Sequence, residues 1–128
     1  MIIEDYCSYE VAKLLKEKGF DERCRSWYSY YGDSYDFHEE GCKMCNSDCI
    51  KNTFMAPTQA MAMKWLREVH GLFVSIGNDD LDYNWQIFDI NDRTKDLDPT
   101  CLTESYAGYR KYEQACEAAI KYCLEHLI

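Results

Sequence analysis

Pro57-Thr58-Gln59-Ala60-Met61-Ala62-Met63-Lys64-Trp65-Leu66-Arg67-Glu68-Val69-His70-Gly71-Leu72-Phe73-Val74-Ser75-Ile76 changes its period partway along. As far as Val69 the apolar residues recur at i, i+3, i+4 and i+7 (Ala62, Trp65, Leu66, Val69), which is one face of a helix. Pro57 suits the first turn, where its missing N–H costs nothing, and Gly71 closes the segment. From Leu72 to Ile76 the chain is apolar and β-branched. Gly77-Asn78-Asp79-Asp80 is turn chemistry, and Tyr83 to Ile90 alternates through Trp85 and Ile87. A helix feeding an antiparallel hairpin marks an α+β chain.

The same reading extends in both directions. Ser8 is an N-cap with Glu10 in the first turn, and Val11, Leu14, Leu15 and Lys18 form a stripe that Gly19 ends. Arg25 to Tyr31 is rich in Trp and Tyr, and Gly32-Asp33-Ser34 separates it from Tyr35-Asp36-Phe37, so a second hairpin is expected there. Thr53-Phe54-Met55 is a short strand. Asn91 to Tyr109, with Pro99 and Gly108 inside it, reads as irregular. Tyr112, Cys116, Ala119, Ile120, Cys123, Leu124 and Leu127 share one stripe of a closing helix, which places two thiols in the core. The expectation is one α+β domain over residues 1–128. It has an antiparallel sheet of about four to five strands packed by three helices, and a cysteine-rich loop or insertion at about 38–52.

Composition narrows the function classes. A chain of 128 residues with 47% hydrophobic and 15% aromatic content has enough apolar surface to fold without staples. Its start lacks the basic and apolar regions of a secretory leader, and no run approaches a membrane span. The eight cysteines are therefore expected to be reduced, in a cytoplasm. A net charge of −9 and the want of any Lys/Arg cluster argue against direct nucleic-acid binding. Between Gly77 and Glu104 eight acids (Asp79, Asp80, Asp82, Asp89, Asp92, Asp96, Asp98, Glu104) face only Arg93 and Lys95. That span is either a solvated turn and loop or a surface that steers onto a basic partner.

The one ligand-like spacing is His38-x3-Cys42-x2-Cys45-x3-Cys49. Three thiolates and an imidazole suit tetrahedral Zn²⁺, with Cys24 or Cys101 as alternatives to His38. The competing reading is a polar loop in a cysteine-rich protein. Cys42-x2-Cys45 lacks the strand-then-helix context of a redox pair. Asp80-x-Asp82-x-Asn84 begins like a calcium loop, but Trp85 and Asn91 stand where Gly and Glu are needed. His70 and His126 lie at helix ends, which ordinary dipole arguments explain. No phosphate-binding glycine loop, nucleophile elbow or zinc-protease motif is present, so no catalytic residue is assigned.

The segment Ala56-Pro57-Thr58-Gln59, continuing to Trp65-Leu66-Arg67-Glu68-Val69-His70, resembles a helix in uncharacterised small proteins of phages and mobile elements of gut Bacteroidales. Ala12 to Phe20 and Tyr112 to Ala119 resemble segments of the same group, so the likeness covers about half the chain and leaves out residues 38–52. It implies a setting, a phage or prophage accessory protein in a bacterial cytoplasm, and no activity.

Three hypotheses follow. The first is a non-enzymatic module that binds a host or phage protein, in its narrower form an acidic inhibitor of a nucleic-acid-handling or defence factor. Its contact candidates are Trp27, Tyr28, Tyr30 and Tyr31 in the first hairpin and Asp79, Asp80 and Asp82 in the second. The second is a zinc-stabilised structural module. The third is an enzyme whose site gathers only in the fold.

Overall fold

Ser8 opens the first helix: its backbone is extended and its hydroxyl accepts the Val11 N–H at 3.3 Å, satisfying one of the free donors of the first turn. In this computed structural model, which describes residues 2–39, 41, 43–91, 100–105 and 108–128, that helix is α1 (Tyr9–Glu17). The chain divides into two compact units, Met1–Ala60 and Met61–Ile128.

In the first unit α1 buries Val11, Ala12 and Leu15 and ends at Gly19, whose φ of +92° is the left-handed value a helix C-terminus needs. Gly19 N–H returns to the Lys16 carbonyl and Phe20 N–H to that of Leu15, which drops the Phe20 ring into the core. Strands β1 (Trp27–Tyr31), β2 (Ser34–His38) and β3 (Thr53–Met55) form an antiparallel sheet in the order β2-β1-β3. Gly32, at φ +64°, leads the two-residue turn between β1 and β2. Alternation sorts the sheet. Tyr28, Tyr30, Tyr35, Phe37 and Phe54 share one face, and Tyr9 of α1 lies over it. Trp27, Ser29, Tyr31, Asp36 and His38 share the other.

The second unit continues α2 (Gln59–His70), closes it at Gly71 (φ +67°), and runs into β4 (Leu72–Asp79) and β5 (Asp82–Asp89). A sixth strand, β6 (Thr100–Glu104), completes an antiparallel sheet in the order β4-β5-β6. Helix α3 (Tyr112–Tyr122) packs on β4 and β5 and buries Ala115, Cys116, Ala119 and Ile120, then passes into a π-helical turn over Cys123–Leu127. No helix among the described residues is long and apolar enough to cross a membrane.

The class is α+β, as expected, and the described residues form six strands in two three-stranded sheets where four to five were expected in one. The extra strand falls in the segment read as irregular. β6 carries Cys101 and Leu102 exposed, Leu102 at 44%, so it shows no inward apolar alternation to read. Two further details depart from expectation. Pro57 precedes the helix, buried, with its carbonyl accepting the Cys7 N–H at 2.9 Å. Val69 closes its stripe 58% exposed, because Ala62, Trp65 and Leu66 already fill the buried face of α2. The second hairpin is also longer than its turn chemistry implied. Strand pairing continues through Gly77-Asn78-Asp79 to a tip of Asp80 and Leu81, and a Cβ at Gly77 would lie 2.6 Å from the Asn84 side chain opposite.

Candidate functional site

The first hairpin holds the densest set of side chains singled out in the sequence. Tyr28 is not at the surface: it is buried, and its hydroxyl donates to the Cys7 carbonyl at 2.7 Å, tying the sheet to the start of the chain. Trp27 and Tyr30 are half-buried and Tyr31 is 66% exposed. Two residues outside the candidate set join the surface, Tyr35 at 53% exposure and Phe37 at 39%. Their partners explain why such large rings stay ordered in water. Tyr35 stacks on Tyr9, and Phe37 touches Tyr6 and Tyr28 at centroid distances of 5.3 and 5.1 Å. The signal for both was the alternation Tyr35-Asp36-Phe37, which sends the two rings to one face.

The two edges of this sheet differ. Tyr30 N–H bonds to the Asn52 carbonyl at 3.0 Å, on the side away from β2. Antiparallel parity then makes Tyr30 and Tyr35 a pair without mutual ladder bonds, and Tyr28 with Phe37 likewise. The N–H and C=O groups of Tyr35 and Phe37 therefore point outward from β2. The β3 edge is filled: Met55 N–H meets Asn46 Oδ1 at 2.9 Å, Thr53 N–H meets the Ile50 carbonyl at 3.1 Å, and Lys16 Nζ donates to the Thr53 carbonyl at 2.8 Å. Along β2, no strand or hydrogen bond from the described residues takes up the outward groups.

Of the four ligands named for zinc, Cys42 lies outside the described residues. His38 sits on β2, its Nε2 is 2.9 Å from Ser29 Oγ, and its ring stacks on Trp27 with centroids 5.2 Å apart. Gly41 lies against the same indole, where a Cβ would overlap the ring. Cys45 Sγ lies 3.1 Å from Asp48 Oδ2 and 3.2 Å from Ser47 Oγ, and Cys49 Sγ donates to the Cys45 carbonyl at 3.3 Å. The alternative Cys24 is drawn toward this loop by paired backbone bonds with Met44, and Cys101 lies on β6 of the second unit. Among the described residues no group of three His, Cys, Asp or Glu side chains is arranged to hold a metal ion.

Electrostatics point the same way for reactivity. Burial, then Glu22, Cys45 and Cys49, push the Cys24 thiol up to about 11, which keeps it protonated and unreactive at neutral pH. Burial, Asp48, Cys45 and Asp21 also raise Cys49, with Lys16 working against them. The Ser29–His38 contact has the composition of a nucleophile and base. However, Ser29 is a mid-strand residue, paired to β2 and β3 and 6% exposed, so its hydroxyl holds His38 over Trp27 and presents no nucleophile to solvent.

In the second unit Asp79, Asp80 and Asp82 are all exposed at the hairpin tip, with Leu81 between them 90% exposed. Asp89 belongs to β5 and Glu104 to β6, whereas Asp92, Arg93, Lys95, Asp96 and Asp98 lie outside the described residues. Compared with known proteins, the chain matches no family model, no curated protein and no solved structure.

Proposed function

We propose that this chain is a non-enzymatic protein-binding module whose contact surface is the aromatic hairpin of its first unit. One observation carries the reading: Tyr35 and Phe37 on one face of the hairpin and Tyr31 on the other stand 53%, 39% and 66% exposed, and the outer strand is open to solvent. Aromatic rings held rigid by neighbours offer large contact area at little entropic cost, which is why they recur as anchors in interfaces. The exposed Asp79, Asp80 and Asp82 supply a second, charged element suited to steering onto a basic partner.

The setting implied by the resemblance makes that partner a host or phage protein in a bacterial cytoplasm. A nucleic-acid-handling or defence factor is the narrower version, since such proteins present basic faces. The test is capture from bacterial lysate on the immobilised full chain. A partner recovered in stoichiometric amount and lost with Tyr31→Glu supports the reading; failure to recover one across several growth states overturns it.

A further inference from the structure

We infer that the outer edge of β2 accepts an extended, basic segment of a partner protein as a fourth strand of the first sheet. The inference rests on the protein-binding reading and names the chemistry of the partner. An open edge offers unpaired main-chain groups, and a strand added there gains its affinity from the ladder and its specificity from alternate side chains. Here the available groups are the N–H and C=O of Tyr35 and Phe37, two residues apart on one edge, as antiparallel addition requires. The opposite edge is closed by Asn46, Ile50 and Lys16, so a strand can join on one side only.

Side chains then select the occupant. Tyr35 and Phe37 present ring surface on one face of the edge, which favours apolar residues at alternate positions of the incoming strand. Asp36 lies on the other face, with Asp33 and Glu39 exposed at either end of β2, and from Ser26 to Gly41 the sequence has no Lys or Arg. Asp33, Asp36 and Glu39 form no ion pair among the described residues, which favours Lys or Arg at the intervening positions of the incoming strand. Natural edges are commonly guarded by lysine or proline, and β2 has neither. A second copy of this chain fits poorly. Antiparallel self-pairing centred on the strand sets Asp36 against Asp36, and each copy brings a net charge of −9.

The probe is the peptide acetyl-Lys-Val-Lys-Val-Lys-Val-Lys-amide, titrated into the full chain with amide exchange followed residue by residue. Saturable binding that slows exchange at Tyr35 and Phe37 by about tenfold or more is expected. The acidic counterpart with Glu for Lys should bind at least about tenfold more weakly. Phe37→Pro removes an outward N–H while keeping every β1–β2 ladder bond, and Phe37→Ala removes the same ring but keeps that N–H. Proline should bind at least about tenfold more weakly than alanine, with the amide exchange of β1 confirming that both variants remain folded.

Unchanged exchange at Tyr35 and Phe37, equal binding by the two Phe37 variants, or a dimer of this chain formed through β2 would each overturn the inference. The lysate capture separates it from the reading beneath it. A partner retained by Phe37→Pro as well as by Phe37→Ala ends the strand-addition inference and leaves the binding module standing. A peptide that binds β2 while no lysate partner is found ends the binding-module reading, and with it the partner-protein inference, leaving only an edge able to accept a strand.

Discussion

Tyr35 lies parallel to Tyr9, with ring centroids 4.5 Å apart and planes inclined by 7°. Because Tyr9 begins α1 and Tyr35 sits on the outer strand, this stack fastens the hairpin to the helix. Tyr9 also meets Tyr28 and Phe54 edge-on, so it is the hub of the aromatic face. The Tyr35→Ala variant is expected to lose about 1 kcal/mol for the pair itself, in addition to burial. A double-mutant cycle with Tyr9→Ala, read by chemical denaturation, checks it; a coupling energy indistinguishable from zero would assign the stability to burial alone.

Asn46 gives a sharper expectation. Its amide Nδ2 donates to the Phe20 carbonyl at 2.7 Å and its Oδ1 accepts the Met55 N–H at 2.9 Å, both in the buried interior of the first unit. Asn46→Ala strands one donor and one acceptor, at about 2 kcal/mol or more. Asn46→Asp keeps the acceptor but loses the donor, so it should destabilise as well, and less at low pH where a protonated carboxyl can donate again. Urea midpoints at pH 7 and pH 4 distinguish the cases.

Thiol reactivity should divide by depth. Burial pushes Cys123 up to about 12 and Cys24 up to about 11, against an ordinary 9.0. At pH 8 that lowers the thiolate fraction roughly a thousandfold and a hundredfold respectively, relative to an unperturbed thiol. Iodoacetamide labelling followed by mass spectrometry should therefore modify exposed Cys101 first and Cys123 last. Early labelling of Cys24 would contradict the burial that the Met44 bridge imposes.

Asp21 sets an acid limit. The Ser47 N–H donates to its carboxylate at 2.7 Å and holds it below its ordinary 3.8. A depressed carboxyl stabilises the fold above its unfolded value, and that contribution disappears as pH falls below 3.8 toward the lowered one. Asp21→Ala should thus lower stability at pH 6 and progressively lose its effect as pH falls below 3.8. Denaturation midpoints across that range test the sign.

The helices were legible in the chain because of their apolar stripes and, for α1 and α2, the signals that end them. Ser8 caps α1, Gly19 and Gly71 supply positive φ, and the buried thiols of α3 fall on the stripe that the spacing predicts. Both hairpins were legible for the same local reason. What sequence could not show depends on long-range pairing. β6 exists because it pairs with β5, across a register shift at Ile87 and Phe88, and its own residues carry no alternation. Tyr28 looked like its neighbours Tyr30 and Tyr31, and only the packing of α1 over the sheet decides which of them is buried. The open edge was equally hidden, because it is set by Asn46 and Lys16 closing the other side.

The last turn of the final helix has a consequence for how much alteration in length the chain can absorb. Over Cys123–Leu127 the winding is π rather than α, which accommodates one residue more than regular helical spacing does. Excising exposed Glu125 would let the spiral relax to ordinary pitch while Cys123 and Leu124 remain inside. This terminus should therefore survive a single-codon deletion that would misalign every later residue of a helix without such slack.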